Sequence, residues 1–258
     1  MSALLEIAGL TKRFGGLVAV SGVGFAVERG AVVSVVGPNG AGKTTLFNLI
    51  SGVIRPDAGT VRFEDRDVTG WQPHDLNALG IGRTFQNVRL FNHLNALENV
   101  MVGRTCRTRS GVTDALLCLP RDRRDRRETL QYAEALLEWV GAGANRLRMP
   151  NELPYGDQRR VEIARALATE PTLLILDEPT AGMVAREAHA IVELMAKLTE
   201  RGITLLLIEH NMNVVMAVSQ RIVVLSFGEK IAEGTPAAIR ADPRVIEAYL
   251  GVDGEVSA

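Results

Sequence analysis

The stretch that most constrains this chain is Gly37-Pro38-Asn39-Gly40-Ala41-Gly42-Lys43-Thr44-Thr45. It fits the pattern Gly, four residues, Gly-Lys-Thr, a loop that wraps phosphate groups. A β-branched run at 32–36 precedes it, and helix-like apolar spacing follows at 45–50. This is the strand–loop–helix setting the motif requires. Glycines let the backbone curl so that successive N–H groups point at phosphate oxygens, and the helix N-terminus adds partial positive charge. Lys43 is placed to reach the β- and γ-phosphates, and the Thr44 hydroxyl to ligate Mg²⁺.

The totals narrow the rest. At 258 residues the chain holds one large α/β unit, with room for an inserted lobe, and 47% hydrophobic residues exclude a disordered chain. Lys+Arg 29 against Asp+Glu 30 leaves a net charge of −1, which gives nucleic acid no electrostatic footprint. Two cysteines, Cys106 and Cys118, make no disulfide framework and have no metal-ligand company, so they read as thiols of a reducing compartment. No apolar run approaches the ~18 residues of a membrane span. Glu6 follows the start too closely for a secretory signal. The expectation is a cytosolic protein that reaches a membrane only through partners.

Taken in order, the chain predicts short strands near 4–8, 17–20, 23–28 and 31–36. Phe14 stands in a loop before Gly15-Gly16, where an aromatic serves either to stack on a base or to close a strand-end core. A strand near 60–64, a loop at 67–73 and a short helix at 73–79 follow. The next strand, 81–85, ends at Gln86, whose amide oxygen suits Mg²⁺, a water or simple capping. From 87 to about 149 the β-branched runs vanish and helical spacing takes over, predicting helices at 95–103, 112–118 and 123–140. The basic run Arg121-Asp122-Arg123-Arg124-Asp125-Arg126-Arg127 is interspersed with acids, as in a solvated helix start with local ion pairs. Leu153-Pro154-Tyr155-Gly156-Asp157-Gln158 then opens a helix at 158–169. A buried-strand run at 172–176 ends in Asp177-Glu178, which suits a metal ligand beside a residue that polarises water. A helix at 187–201 and a strand at 203–208 lead to Glu209-His210, where the same strand-end position makes His210 a γ-phosphate contact. A helix (211–218), two strands (221–226, 230–233) and a helical segment (236–250) complete the pattern.

These stretches together resemble the ATP-binding cassette (ABC) ATPases over nearly the whole chain. The resemblance rests on five motifs in one order: the loop Gly37 to Thr45, Gln86, the signature Leu153 to Gln158, the run ending Asp177-Glu178, and His210. It implies an α/β fold: a P-loop NTPase core of ABC type (1–86 and 159–258) with an N-terminal antiparallel β subdomain, and an inserted α-helical subdomain (87–158). It makes Phe14 an adenine-stacking residue beside Gly37, Pro38, Asn39, Gly40, Ala41, Gly42, Lys43, Thr44 and Thr45. Thr44, Gln86 and Asp177 become the Mg²⁺ set, Glu178 the base and His210 the γ-phosphate clamp. Two such subunits are expected to close head-to-tail around two ATP, with Tyr155, Gly156 and Asp157 touching the partner's nucleotide. Closure then pulls on transmembrane partners docked near Gln86 and the helical lobe.

A narrower resemblance is to the larger ATPase subunit of branched-chain amino-acid importers. It is carried by Phe14-Gly15-Gly16-Leu17, Arg83-Thr84-Phe85-Gln86-Asn87, Arg89-Leu90-Phe91, the signature, Ile231-Ala232-Glu233-Gly234 and the stretch Pro243 to Gly251. It implies a second ATPase subunit (a sister chain or a second copy), two permease subunits, an extracytoplasmic binding protein and a peripheral place on the cytoplasmic face of the membrane. The cargo implied is leucine, isoleucine and valine. Two departures stand out. Where the common signature reads Leu-Ser-Gly-Gly-Gln, Pro154, Tyr155 and Asp157 replace the serine, first glycine and glutamine; and Val184 stands where a loop Asp or Asn usually makes a polar contact across the dimer. The rival expectations are an exporter ATPase for lipid or polysaccharide, a soluble ABC protein of translation or repair, and a non-hydrolysing regulatory module.

Overall fold

The computed structural model describes residues 3–108 and 120–253. In chain order the strands are β1 (Ala3–Phe14), β2 (Leu17–Glu28), β3 (Val32–Val36), β4 (Ala58–Phe63), β5 (Arg66–Asp67), β6 (Ile81–Arg83), β7 (Leu173–Asp177), β8 (Thr204–Ile208), β9 (Arg221–Ser226) and β10 (Glu229–Gly234). The helices are α1 (Lys43–Ile50), α2 (Pro73–Leu79), α3 (Ala96–Arg104), α4 (Pro120–Trp139), α5 (Tyr155–Leu167), α6 (Ala185–Glu200), α7 (Met212–Val218), α8 (Pro236–Ala241) and α9 (Pro243–Asp253).

Every residue of β3, β7 and β8 is buried, because unbroken Val/Leu/Ile runs cover both faces of a parallel sheet. They form the middle of a six-stranded sheet, order β10-β9-β3-β8-β7-β6, parallel except for β10. A second, antiparallel sheet has the order β2-β1-β4-β5. One core fills the space between this sheet, α1 and the near face of the parallel sheet, with Phe25, Phe47 and Phe63 among its members. On the far face, Leu174, Leu176, Leu205 and Leu207 pack in one cluster with Val161 and Ile163 of α5 and with Leu97, Val100 and Leu137 of α3 and α4. The signature helix α5 is therefore shared by the sheet and the helical insertion.

Several boundaries differ from expectation. β1 and β2 are each continuous over 12 residues. The break expected at 20–23 is a bulge: Leu10 pairs with Val23 and Lys12 with Val20, and Gly22 takes φ +62 to absorb the extra residue. β5 lies inside the expected loop 67–73 by one residue and closes a hairpin through Glu64 and Asp65, both at positive φ. β6 stops at Arg83, so Gln86 belongs to a loop rather than a strand end. α5 starts at Tyr155, three residues before the expected start. The C-terminal segment is two helices parted at Asp242, since Pro243 has no N–H to continue the first. The basic run lies within α4, where Arg124 pairs with Glu128 one turn on at 2.8 Å. The expected helix 112–118 lies outside the described residues, as does Cys118.

Candidate nucleotide site

The buried strand β3 delivers the chain to Gly37, and two glycines explain how tightly the following loop is packed. A Cβ on Gly37 would stand 2.1 Å from the Leu225 carbonyl oxygen of β9, and one on Gly42 (φ +91) would stand 2.3 Å from the Ala19 carbonyl oxygen of β2. The loop is thus pressed between both sheets, which only glycine permits. No side chain caps α1, and its first turn carries no acidic residue. Its leading N–H groups and dipole are left for an anionic ligand. This cradle fits a nucleotide polyphosphate.

Phe14, Gly40, Lys43, Thr44, Gln86 and Glu178 line the cleft above the loop, which has a volume of about 500 Å³, in the range of small-molecule sites. Phe14, at the end of β1, is half exposed and lies under the Lys12 ammonium at 5.7 Å. Ala19 of β2 and Phe227 of the β9–β10 turn complete the wall. Lys43 Nζ donates to the carbonyls of Gly37 (2.7 Å) and Pro38 (2.9 Å), so it is folded onto its own loop. Burial lowers its pKa, and Glu178 and Asp177 partly oppose that.

At the mouth, Gln86 Nε2 donates to Glu178 Oε2 at 3.0 Å, and His210 Nδ1 lies 3.7 Å from the same oxygen. Two side chains from two other loops converge on the Glu178 carboxylate. Glu178 holds φ +46, a strained value for a non-glycine residue, of the kind that collects at working sites. The loops after β7 and β8, which carry Glu178 and His210, are held by Glu209, which is wholly buried. Its Oε1 accepts from Thr180 N (3.0 Å) and Thr180 Oγ1 (2.5 Å), and its Oε2 from His210 N (3.1 Å) and Asn211 N (3.3 Å).

With this geometry in place, three comparisons decide the family. Residues 20–181 match the family model described as ABC transporter, and residues 229–255 match that of the branched-chain amino acid ATP-binding cassette transporter. The chain belongs to the ABC transporter family of ATP-binding cassettes. It is 46% identical over 249 residues to the high-affinity branched-chain amino acid transport ATP-binding protein BraF of Pseudomonas aeruginosa, covering 96% of this chain and 98% of that one. A nucleotide-free ATP-binding cassette from an ABC transporter superposes with TM-score 0.85 at 33% identity, covering 96% and 99% of the two chains. A dimeric cassette captured after hydrolysis with ADP and Pi superposes with TM-score 0.76 at 28% identity, covering 90% and 98%.

The cassette's signature residues do not line its own nucleotide cleft. Tyr155, Gly156 and Asp157 form the first turn of α5, with Pro154 as its N-cap and no side-chain cap. Asp157 is held within its own chain: Oδ2 accepts from Asn145 Nδ2 at 2.7 Å, and Arg160 lies 3.6 Å from Oδ1. Val184, two-thirds exposed, is the N-cap of α6.

Asp177 is buried at the end of β7, and burial raises its pKa. Its cation is Arg83, with Nη2 at 3.4 Å from Oδ2, and Arg83 Nη1 also bonds Ser51 Oγ at the end of α1. Sequence reasoning gave no separate role to Arg83, nor to Arg159 of α5, which is wholly buried against the Gln86 segment. Among the described residues there is no cluster of three His, Cys, Asp or Glu placed to hold a metal ion, so a cation here would combine the Asp177 carboxylate with hydroxyl and amide oxygens. A charged Asp177 disfavoured by burial is the kind of group a divalent cation relieves.

Proposed function

We propose that this cassette hydrolyses ATP to drive a branched-chain amino-acid importer. The observation that carries the hydrolytic reading is the convergence of Gln86 and His210 on the Glu178 carboxylate at the mouth of the phosphate loop. Glu178 acts as the base toward the attacking water, and the other two residues hold its Oε2. The loop Gly37 to Thr45 cradles the phosphates, Lys43 leaves its carbonyls for them, and Phe14 stacks on the base. Thr44, Gln86 and Asp177 would hold Mg²⁺, which supplies charge for the β- and γ-oxygens.

The importer reading is supported by the likeness to BraF and by the match at 229–255, neither of which an exporter for lipid or polysaccharide explains. This chain offers its Tyr155-Gly156-Asp157 turn to the nucleotide of a second cassette, sister or identical, whose own signature completes the site described here. The segment 87–158 serves as the helical subdomain, joined to the core through the continuous helix α5. Two permeases serve the pair of cassettes, and one of them docks here near Gln86 and the helical lobe, where a groove is lined by Phe85, Arg89, Phe91 and Arg165. An extracytoplasmic binding protein hands over the cargo, and the cassette works on the cytoplasmic face. No helix among the described residues is long and apolar enough to cross a membrane, so contact with it falls to the permeases.

Uptake of labelled leucine tests the reading, in cells deleted for the chromosomal copy and complemented with wild type or Glu178→Gln. Wild type is expected to restore uptake and Glu178→Gln to fail. Uptake that survives the deletion untouched removes the cargo assignment. A Glu178→Gln protein that turns over ATP like wild type removes the base assignment.

A further inference from the structure

The Gln86 segment is held by a buried ion pair on the signature helix. Arg159 and Glu162, one turn apart on α5, are 0% and 1% exposed and bonded at 2.7 Å. Arg159 Nη1 also donates to the Phe85 carbonyl at 2.7 Å, and Nη2 donates to the Gln86 carbonyl at 2.8 Å. Nη2 lies 3.5 Å from the Glu178 carbonyl and 3.3 Å from the Tyr155 hydroxyl. Glu162 Oε1 takes the opposite polarity, accepting from the N–H groups of Phe85 and Arg89, both at 3.4 Å. One pair of side chains therefore grips the backbone of 85–89 by its carbonyls and its N–H groups, and touches the backbone of Glu178 as well.

Stability alone does not explain this arrangement. Burial raises the pKa of Glu162, so desolvation outweighs the help from Arg159. A buried ion pair is commonly replaceable by packed apolar residues with no loss of stability. What apolar residues cannot do is bridge three carbonyls on two loops. A planar guanidinium does so with fixed angles.

We propose that Arg159 is a positioning residue for hydrolysis. It carries the placement of the signature helix to Gln86 and Glu178, and so sets the 3.0 Å contact between them. The consequence is a path within one chain. The first turn of α5, where Tyr155 stands, is joined through Arg159 to the group that polarises water at the chain's own nucleotide. This rests on the reading of Glu178 as base and of Gln86 as its partner.

The test separates positioning from folding. Arg159→Lys keeps the charge facing Glu162 but loses the fork, since an ammonium cannot span the carbonyls of Phe85 and Gln86 in one geometry. The paired variant Arg159→Gln/Glu162→Gln removes both charges of the buried pair together, and leaves Arg165, 4.0 Å from Glu162 and 17% exposed, facing an amide. ATP turnover, KM and Tm are measured on the full-length cassette, alone and with its permeases. Both variants are expected to lose at least about tenfold in kcat, with KM held within about twofold, because a misplacement of about 1 Å at a reacting group has large kinetic effects. Arg159→Lys is expected to hold Tm within about 2 °C. Combining Arg159→Lys with Gln86→Ala is expected to give less than the product of the two single losses, as for residues acting through one contact. Wild-type kcat in either variant overturns the proposal. So does a fall in Tm that tracks the fall in kcat in both, which assigns the pair a folding role. Turnover retained by Glu178→Gln instead sinks the base reading, whatever the Arg159 variants do.

Discussion

Lys43 is charged, buried and bonded to two carbonyls of its own loop. Burial, the dominant influence, lowers its pKa below that of an ordinary lysine. Phosphate oxygens in contact with Nζ would raise it. Between the lowered value of the free protein and the raised value of the complex, the complex therefore holds more protons than its parts. ATP affinity should fall as pH rises through that window, and stay flat from this group below it, where both states are protonated. Calorimetric titration with ATP from near neutral to about pH 10 checks this, since an ordinary lysine titrates at about 10.4. Wild type is expected to weaken and to take up protons on binding at the alkaline end. Lys43→Met is expected to bind weakly with no such slope, and a flat wild-type profile would contradict the assignment. Lys43 was legible in the sequence because the loop motif fixes its role. Arg159 was not: it stands in the polar stretch Asp157-Gln158-Arg159-Arg160, and only the packing of α5 against the Gln86 loop turns that one charge inward. Arg83 was hidden in the same way, behind a strand that ends sooner than its apolar pattern suggests.

At the scale of elements, the central strands were readable because burial on both faces leaves unbroken apolar runs. The edges were not. Gly22 hides a bulge within what looks like a strand break, and Pro154-Tyr155-Gly156-Asp157 has the composition of a turn. It forms the N-cap and first turn of α5, where proline and glycine do no harm because those N–H groups lack partners in any case. The phosphate loop shows how neighbours decide what a glycine is for. Gly40 (φ +79) has no atom within 4 Å of where a Cβ would stand, whereas at Gly42 the Ala19 carbonyl of β2 lies 2.3 Å from that point. Gly40→Ala should therefore cost only backbone strain, about 1–2 kcal/mol, with the loop still able to form. Gly42→Ala has to push β2 and the start of α1 apart, which removes the cradle. Thermal melts and ATP binding on both variants check the contrast. Gly40→Ala should bind ATP with a lowered Tm, and Gly42→Ala should lose binding. Equal loss in the two would mean that conformation, not the approach of β2, sets the loop.

On the proposed reading the whole molecule works as half of a pair; its signature turn does not line its own cleft. Each nucleotide would then be completed by the partner, and the two sites need not be equal. In this chain the signature begins with Pro154, which has neither hydroxyl nor N–H to offer, and Asp157 is tied to Asn145 rather than free. What remains for the partner's γ-phosphate is the backbone at the start of α5, around Gly156. The partner's site should therefore be the slower of the two. Pro154→Ser tests this, since it supplies a hydroxyl where the common signature has one and is expected to raise turnover at the partner's site by several-fold. A serine N-cap also stabilises α5 by about 1 kcal/mol, so a gain in Tm alone proves nothing. Pro154→Ala separates the effects by restoring the N–H without the hydroxyl. Single-turnover hydrolysis with the other site disabled by Glu178→Gln on the Pro154 variant chain reads the partner's site directly. A rise with serine and none with alanine fits a missing hydroxyl. Equal rates in all three proteins would mean that the backbone of the first turn of α5 is sufficient, and that any inequality between the two sites has another origin.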